Sequence, residues 1–402
     1  MKILVLSSKV PFPPKDGGAI ATLSLAEGLA DVDNEVTMLC LNTSRHPFDV
    51  NKIPGVLKKK IRFLSVYHNT HINFIRLILN VLFSSEPYNA TRFYSRAFER
   101  RMIDLLEESP SDIIQLEGPY MGYYIKAVRK VAPGTKIALR AHNVEHEIWQ
   151  RKVINTRNPF LRFYFSILSR RIKKLEELVL KKCDYLVAIS DRDRKQLLAL
   201  KEIKNITIPT GLNPHRYPTP KEPEFPTLFY IGALDWMPNQ EGITWFVENV
   251  FPLIRQQVPS ISLHIAGRNA PAWLAHKLQS HKDGVMFHGE VNNAYQFMNR
   301  YAIFVSPLFT GSGIRIKILE GMMMQRAVVA TSLAAEGIPV SDRKNILITD
   351  GAETMANLVA GLCHDKPGYD EIARNSRAFV NENFNNFATC KKLSDYYRNN
   401  PA

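Results

Sequence analysis

Paired cysteines are missing from this sequence. Its 402 residues hold only Cys40, Cys183, Cys363 and Cys390, with no CxxC and no paired spacing. That excludes a disulfide scaffold and a zinc ribbon, and it fits a reducing compartment. Long apolar runs are missing too: none approaches the roughly 20 residues needed to span a bilayer. The opening Met1-Lys2-Ile3-Leu4-Val5-Leu6 has a very short apolar stretch and no small-residue cleavage site, so it reads as a buried first strand rather than a secretion signal. Neither GxGxxG nor a P-loop lysine motif occurs. An even charge balance is missing from one half only. Residues 1–210 carry 34 Lys+Arg against 21 Asp+Glu, whereas residues 211–402 carry 18 against 17, so nearly all of the net +14 lies in the first half. A basic half meets something anionic: a membrane surface, a nucleic acid or a phosphorylated substrate.

What is present is globular. Apolar residues make up 45% and charged residues 22% of the chain, which fits packed cores, and the length fits two domains. Short β-rich runs alternate with helical pattern: strands at 2–7, 35–41, 112–116, 136–141 and 185–189, a helix at 19–30, and a long basic helix at 159–182. Residues 209–226 then contain six prolines, which exclude a helix or a central strand there. A second series follows, with strands at 227–231, 262–266, 285–288, 303–307 and 327–331 and helices at 242–258, 294–299 and 314–324. The reading is α/β: two doubly wound, Rossmann-like domains, 1–210 and 227–385, joined by a proline-rich linker, 211–226. Ligands in such sheets bind beyond the C-terminal ends of the strands, so a site is expected in a cleft between the two domains.

Residues just after strands are therefore the candidates. Gly17 and Gly18 lie between the first strand and its helix, where backbone N–H groups and a helix dipole suit an anion. Arg140-Ala141-His142-Asn143-Val144-Glu145 ends another strand. His142 can donate to a sugar hydroxyl or phosphate and exchange protons, Glu145 can accept from hydroxyls, and Asn143 can cap a helix. Ser190 reads as a helix cap. The loop Gly232–Gly242 follows the first strand of the second domain. The most informative stretch is Pro307–Glu320, where a strand ends, a Gly311-Ser312-Gly313 turn follows, and a helix starts at Ile314. Its free N–H groups suit a diphosphate, and Arg315 and Lys317 put positive charge where the helix dipole disfavours it. Glu320 can accept two hydrogen bonds from a ribose diol.

These motifs, in this order, resemble glycosyltransferase family 4, the retaining group with the GT-B fold. The matching stretches are PFPPKDGG, RAHNVE, VAISDRD, IPTGLNPHRY, YIGALDWMPNQEG, LHIAGR and VSPLFTGSGIRIKILEGMMMQRAVVAT, and they cover nearly the whole chain. The resemblance implies a nucleoside-diphosphate sugar bound mainly to the C-terminal domain and a glycan or lipid-linked acceptor bound mainly to the N-terminal one. It implies transfer with retained anomeric configuration, in a cytoplasmic setting of surface-polysaccharide assembly. The family is usually metal-independent, so no metal and no further cofactor are expected. By position, His142 and Glu320 match the catalytic pair. Gly17, Gly18, Gly311, Ser312, Gly313, Ile314, Arg315 and Lys317 fall to the donor diphosphate, and Gly232, Arg268 and Glu320 to the nucleoside. Asn143 and Glu145 fall to the sugar or acceptor. The resemblance also implies that a C-terminal helix, about 386–402, packs back on the first domain. Two departures stand out. Ser312 replaces the first of the family's two glutamates, and the loop after the first C-domain strand has Ala233 and Asn239 where an arginine and a lysine are usual. Arg315 and Lys317 are expected to take over diphosphate neutralisation.

Residues 52–101 hold ten Lys+Arg, two Asp+Glu and the apolar stretch 72–83. They read either as a contact with anionic membrane at the inner face of the cell or as a helix buried on the sheet. Three rival readings stand beside the transferase: a GT-B-fold nucleotide-sugar epimerase or hydrolase, a non-catalytic sugar-nucleotide binder, and a basic nucleic-acid-binding protein. The last rests on charge alone. No recognised module or regular aromatic interleaving supports it, so no nucleic-acid partner is expected.

Overall fold

The computed structural model describes residues 1–400 except Lys15, Lys282 and Ser312. The chain forms two compact units: Met1–Gly211 together with the segment from Asn386 onward, and Leu212–Asn385.

The first unit is built on a seven-stranded sheet with all neighbours parallel. Its strands are β1 (Lys2–Ser7), β2 (Glu35–Thr43), β3 (Ile61–His68), β4 (Ile113–Glu117), β5 (Lys136–Ala141), β6 (Tyr185–Ala188) and β7 (Lys204–Thr207), in the order β3-β2-β1-β4-β5-β6-β7. A parallel sheet covered on both faces needs strands that are apolar throughout. In β1, Leu4 and Leu6 enter one core with Ile114, Leu116 and Leu139, while Ile3 and Val5 enter the other with Val36 and Met38. That second core is closed by the first helix, Gly17–Asp31, and by the C-terminal helix, Asn386–Asn399, through Leu25, Leu29, Cys390, Leu393 and Tyr397. The two helices meet at Gly28, where a Cβ would stand 2.6 Å from Asn386 Nδ2. Asn386 Nδ2 donates to the Ser24 carbonyl at 2.8 Å. The chain thus returns to its first unit through a helix that follows the second.

The second unit carries six parallel strands: β8 (Glu224–Ile231), β9 (Ser262–Ala266), β10 (Val285–Gly289), β11 (Tyr301–Ser306), β12 (Ala327–Ala330) and β13 (Leu347–Ile348), in the order β10-β9-β8-β11-β12-β13. Its core joins Leu228, Ile265, Ile303, Val305 and Val329. Here the proline rule misleads by three residues. β8 starts at Glu224 and includes Pro226, but its pairing to β11 is irregular between Tyr301 and Ile303, and a bulge tolerates a residue with no N–H. The helix expected from Ile314 begins at Ile316 instead and runs to Met323, so Arg315 is its N-cap residue and Gly313 and Ile314 precede it.

Both sheets reverse their strand order once, between β1 and β4 in the first unit and between β8 and β11 in the second. Each reversal opens a crevice beyond the strand ends, because the flanking helices leave on opposite faces. Residues 72–83 are not buried on the sheet. The helix Phe74–Phe83 has no buried residue. Among the described residues no helix is long and apolar enough to cross a membrane.

Candidate functional site

In the first unit, the crevice gathers groups from three strand ends. The loop after β1 enters the first helix at Asp16, whose carboxylate caps it by accepting from Ala19 N at 3.0 Å and pairs with Lys9 Nζ at 2.7 Å. Burial would raise the Asp16 pKa, but Lys9 and the helix amide outweigh it and hold it low. Gly17 and Gly18 are the first two helical residues, both exposed, at the positive end of the helix dipole, where N–H groups have no partner within the helix. One turn later, Thr22 Oγ1 donates to Glu117 Oε2 at 2.9 Å.

Glu117 closes β4 and organises this half of the site. It is 6% exposed. Its Oε1 accepts from Gln115 Nε2 at 2.6 Å, and its Oε2 lies 2.6 Å from His142 Nε2 and 3.9 Å from Arg140 Nε. Burial opposes ionisation of Glu117. His142, Arg140 and Gln115 reverse that, and its pKa falls below the ordinary carboxylate value. The glycine turn and His142 are therefore brought together through Thr22 and Glu117. Sequence reading ended the strand at Leu116 and missed this carboxylate, although a charged residue closing an apolar run was the available signal.

Glu145 belongs to a different cluster. It opens the helix Glu145–Asn155, whose N-cap residue is Val144 with no side-chain cap, so Asn143 does not cap it. Glu176, on the helix Pro159–Leu180, performs that function by accepting from Glu145 N at 2.8 Å and His146 N at 3.3 Å, with His146 Nδ1 at 2.6 Å. Asn143 is half-buried, and its side chain makes no hydrogen bond among the described residues. Tyr120 OH donates to Glu145 Oε2 at 3.1 Å. Burial, then the Glu176 charge, push the Glu145 carboxyl up to about 7.

In the second unit, the loop after β8 is tied down by its own side chains. Asn239 Nδ2 donates to the Ala233 carbonyl and Gln240 Nε2 to the Leu234 carbonyl, each at 2.8 Å. Gly232 N donates to the Ala266 carbonyl at 3.2 Å. Arg268, just past β9, is half-buried, and its guanidinium makes no hydrogen bond or ion pair among the described residues. After β11, Gly311 and Gly313 hold φ of 111° and 82°, which a side chain would strain. Arg315 is 9% exposed; it donates to the Gly313 carbonyl and stands 5.9 Å from the Trp236 ring centre, which joins the β8 and β11 loops. Ser312 lies outside the described residues.

Glu320, in the helix Ile316–Met323, is 2% exposed. Lys317 Nζ lies 2.7 Å from its Oε2, and Tyr295 OH donates to Oε1 at 3.2 Å. The Tyr217 ring packs 4.8 Å from Tyr295. Burial first, and Glu320 second, raise both phenol pKa values, so the tyrosines stay protonated donors. Tyr295 and Tyr217 had no local sequence signal, since their partner lies far along the chain. Lys317 does sit in the first helical turn, as read from sequence, and it faces Glu320. Among the described residues no cluster of three or more His, Cys, Asp or Glu side chains is arranged to hold a metal ion.

Comparison with known proteins bears on the family and the fold. The model of Glycosyltransferase Family 4 matches residues 15–216, just over half of the chain, and that of Glycosyl transferases group 1 matches residues 225–365. An uncharacterized 44.6 kDa protein in the cps region of Klebsiella pneumoniae is 23% identical over 95% of this chain and 96% of its own. Sucrose-phosphate synthase from Thermosynechococcus elongatus superposes with a TM-score of 0.72 at 16% identity, covering 99% of both chains. HepE from Anabaena, solved with UDP and glucose, superposes with a TM-score of 0.67 at 12% identity, again over 99% of both. The chain belongs to glycosyltransferase family 4 and has the two-domain α/β architecture of the GT-B glycosyltransferases.

Proposed function

We propose that this glycosyltransferase moves a sugar from a nucleoside-diphosphate sugar to a glycan or lipid-linked acceptor, with retention of anomeric configuration, in surface-polysaccharide assembly. The observation that carries the reading is Glu320: a buried carboxylate, placed just past a left-handed glycine turn at a strand-order reversal, with Lys317 and Tyr295 on its two oxygens. Such a carboxylate suits a ribose diol, and the adjacent turn suits a diphosphate. Arg315 and Lys317 supply positive charge there, so no metal is needed to stabilise the leaving diphosphate. The UDP and glucose held by HepE and the cps-region relative support the donor class and the biological setting. His142, Asn143 and Glu145 serve the transferred sugar and the acceptor.

The acceptor side faces lipid in this account. The helix Phe74–Phe83 exposes Phe74, Ile75, Ile78, Leu79, Leu82 and Phe83 within the basic stretch 52–101. Apolar side chains ringed by cations bind the inner, anionic face of a bilayer. Sedimentation with phosphatidylglycerol vesicles should retain the protein at low salt and release it at high salt; no binding at low salt contradicts this contact.

Product analysis tests the reaction. The protein, a labelled nucleotide sugar and a membrane extract should give a labelled, acceptor-linked sugar with retained configuration. Free sugar, or an epimerised nucleotide sugar, would overturn the transferase reading.

A further inference from the structure

The buried surroundings of His142 contain a directed chain of hydrogen bonds that starts on the C-terminal helix. Tyr397 OH donates to Gln115 Oε1 at 3.1 Å. That contact orients the amide, so the Gln115 NH2 group is the one that faces Glu117 and donates to Oε1. Thr22 supplies a proton to Oε2. Behind them lies Arg140, fully buried, with none of its guanidinium nitrogens hydrogen-bonded and Glu117 as its ion-pair partner. An arginine cannot shed its proton, so Glu117 must carry the compensating charge. A charged carboxylate only accepts. The proton between Glu117 and His142 therefore sits on His142 Nε2, and Nδ1 makes no hydrogen bond among the described residues.

We infer that Glu117 is a positioning residue that locks the neutral form of His142 in the Nε2–H tautomer, presenting the Nδ1 lone pair to the substrate, and that Tyr397, on the C-terminal helix, supports the accepting carboxylate by turning the Gln115 NH2 group onto it. This places a determinant of the site at the far end of the chain. The proton's location follows from the hydrogen bonds alone. Only its effect on turnover rests on the transferase reading.

The test is nitrogen NMR of the histidine side chains in alkaline buffer, where the imidazole is neutral, with the His142 signal identified by its loss in His142→Asn. Wild-type protein should show Nε2 protonated and Nδ1 bare. Glu117→Gln should invert the pattern. Gln115 still donates at the Oε1 position, so the new amide NH2 takes the Oε2 position and makes His142 Nε2 an acceptor. Adding Tyr397→Phe to Glu117→Gln frees the Gln115 amide, and with it the new amide, and should give a mixture of the two forms; Tyr397→Phe alone leaves the accepting carboxylate in place and should keep Nε2 protonated. Glu117→Gln leaves Arg140 buried without its counter-charge, so Glu117→Gln combined with Arg140→Met provides a second protein in which both charges are gone. It should show the same inversion. The inference is overturned if wild-type His142 carries its proton on Nδ1, or if the folded double variant, Glu117→Gln with Arg140→Met, keeps Nε2 protonated. In the transfer assay, inversion should lower kcat on the order of tenfold or more with the donor KM little changed. A tautomer that inverts with no change in kcat would count against His142 in transfer while leaving the positioning intact.

Discussion

Replacing Glu145 by glutamine should make the protein more stable in alkali and less active. The carboxyl is packed beneath Tyr120 and beside Glu176, and it titrates near 7 rather than at 4.5. The folded state therefore holds this proton more tightly than the unfolded chain does. The favourable contribution is fully present below 4.5 and is lost as the pH rises through 7. Each decade corresponds to about 1.36 kcal/mol, so ionising Glu145 costs the native state roughly 3 kcal/mol in alkaline buffer. Glutamine cannot ionise, and its carbonyl can still accept from Tyr120. Wild type and Glu145→Gln should melt together near pH 4.5. They should separate as the pH climbs to 8.5, with the variant higher by about 6–12 °C, at roughly 2–4 °C per kcal/mol for a unit of this size. Melting both proteins across that pH range is the assay. Parallel curves would refute the buried, charge-opposed carboxyl. A stability gain paired with lost transfer would mark Glu145 as retained for the acceptor.

Two further outcomes are expected. His264 Nδ1 lies 3.0 Å from His288 Nε2, and burial, then its neighbour's charge, lower its pKa from 6.5 to about 4, so stability should fall as the pH drops through that window; His264→Gln should flatten the fall in an acid melting series. Gly28→Val should force the C-terminal helix off the first helix, because the added carbons overlap Asn386; a loss of about 1–3 kcal/mol or more in denaturant unfolding, with increased proteolysis beyond Asn386, would register it.

The sheets were legible because buried parallel strands are continuous apolar runs, and the order of those runs alone implied two doubly wound units. Pro226 was misread because the proline rule assumes a regular ladder, and β8 is irregular there. Gly311 and Gly313 were legible as turn glycines, and both hold positive φ. Glu117 was not, since its meaning comes from Thr22, Gln115, Arg140 and His142, which only the fold assembles. The stretch 72–83 resisted assignment for another reason. A helix apolar on most sides has the same pattern whether it faces a core or a membrane.

The most direct test of the account is calorimetric titration of the protein with UDP, GDP and ADP in metal-free buffer, repeated on Glu320→Ala. The account predicts that one diphosphate binds wild type and that the variant binds it about tenfold or more weakly, the equivalent of one lost charged hydrogen bond. If no nucleoside diphosphate binds, or if the variant binds as tightly as wild type, Glu320 does not hold a donor and the proposed nucleotide-sugar chemistry is wrong.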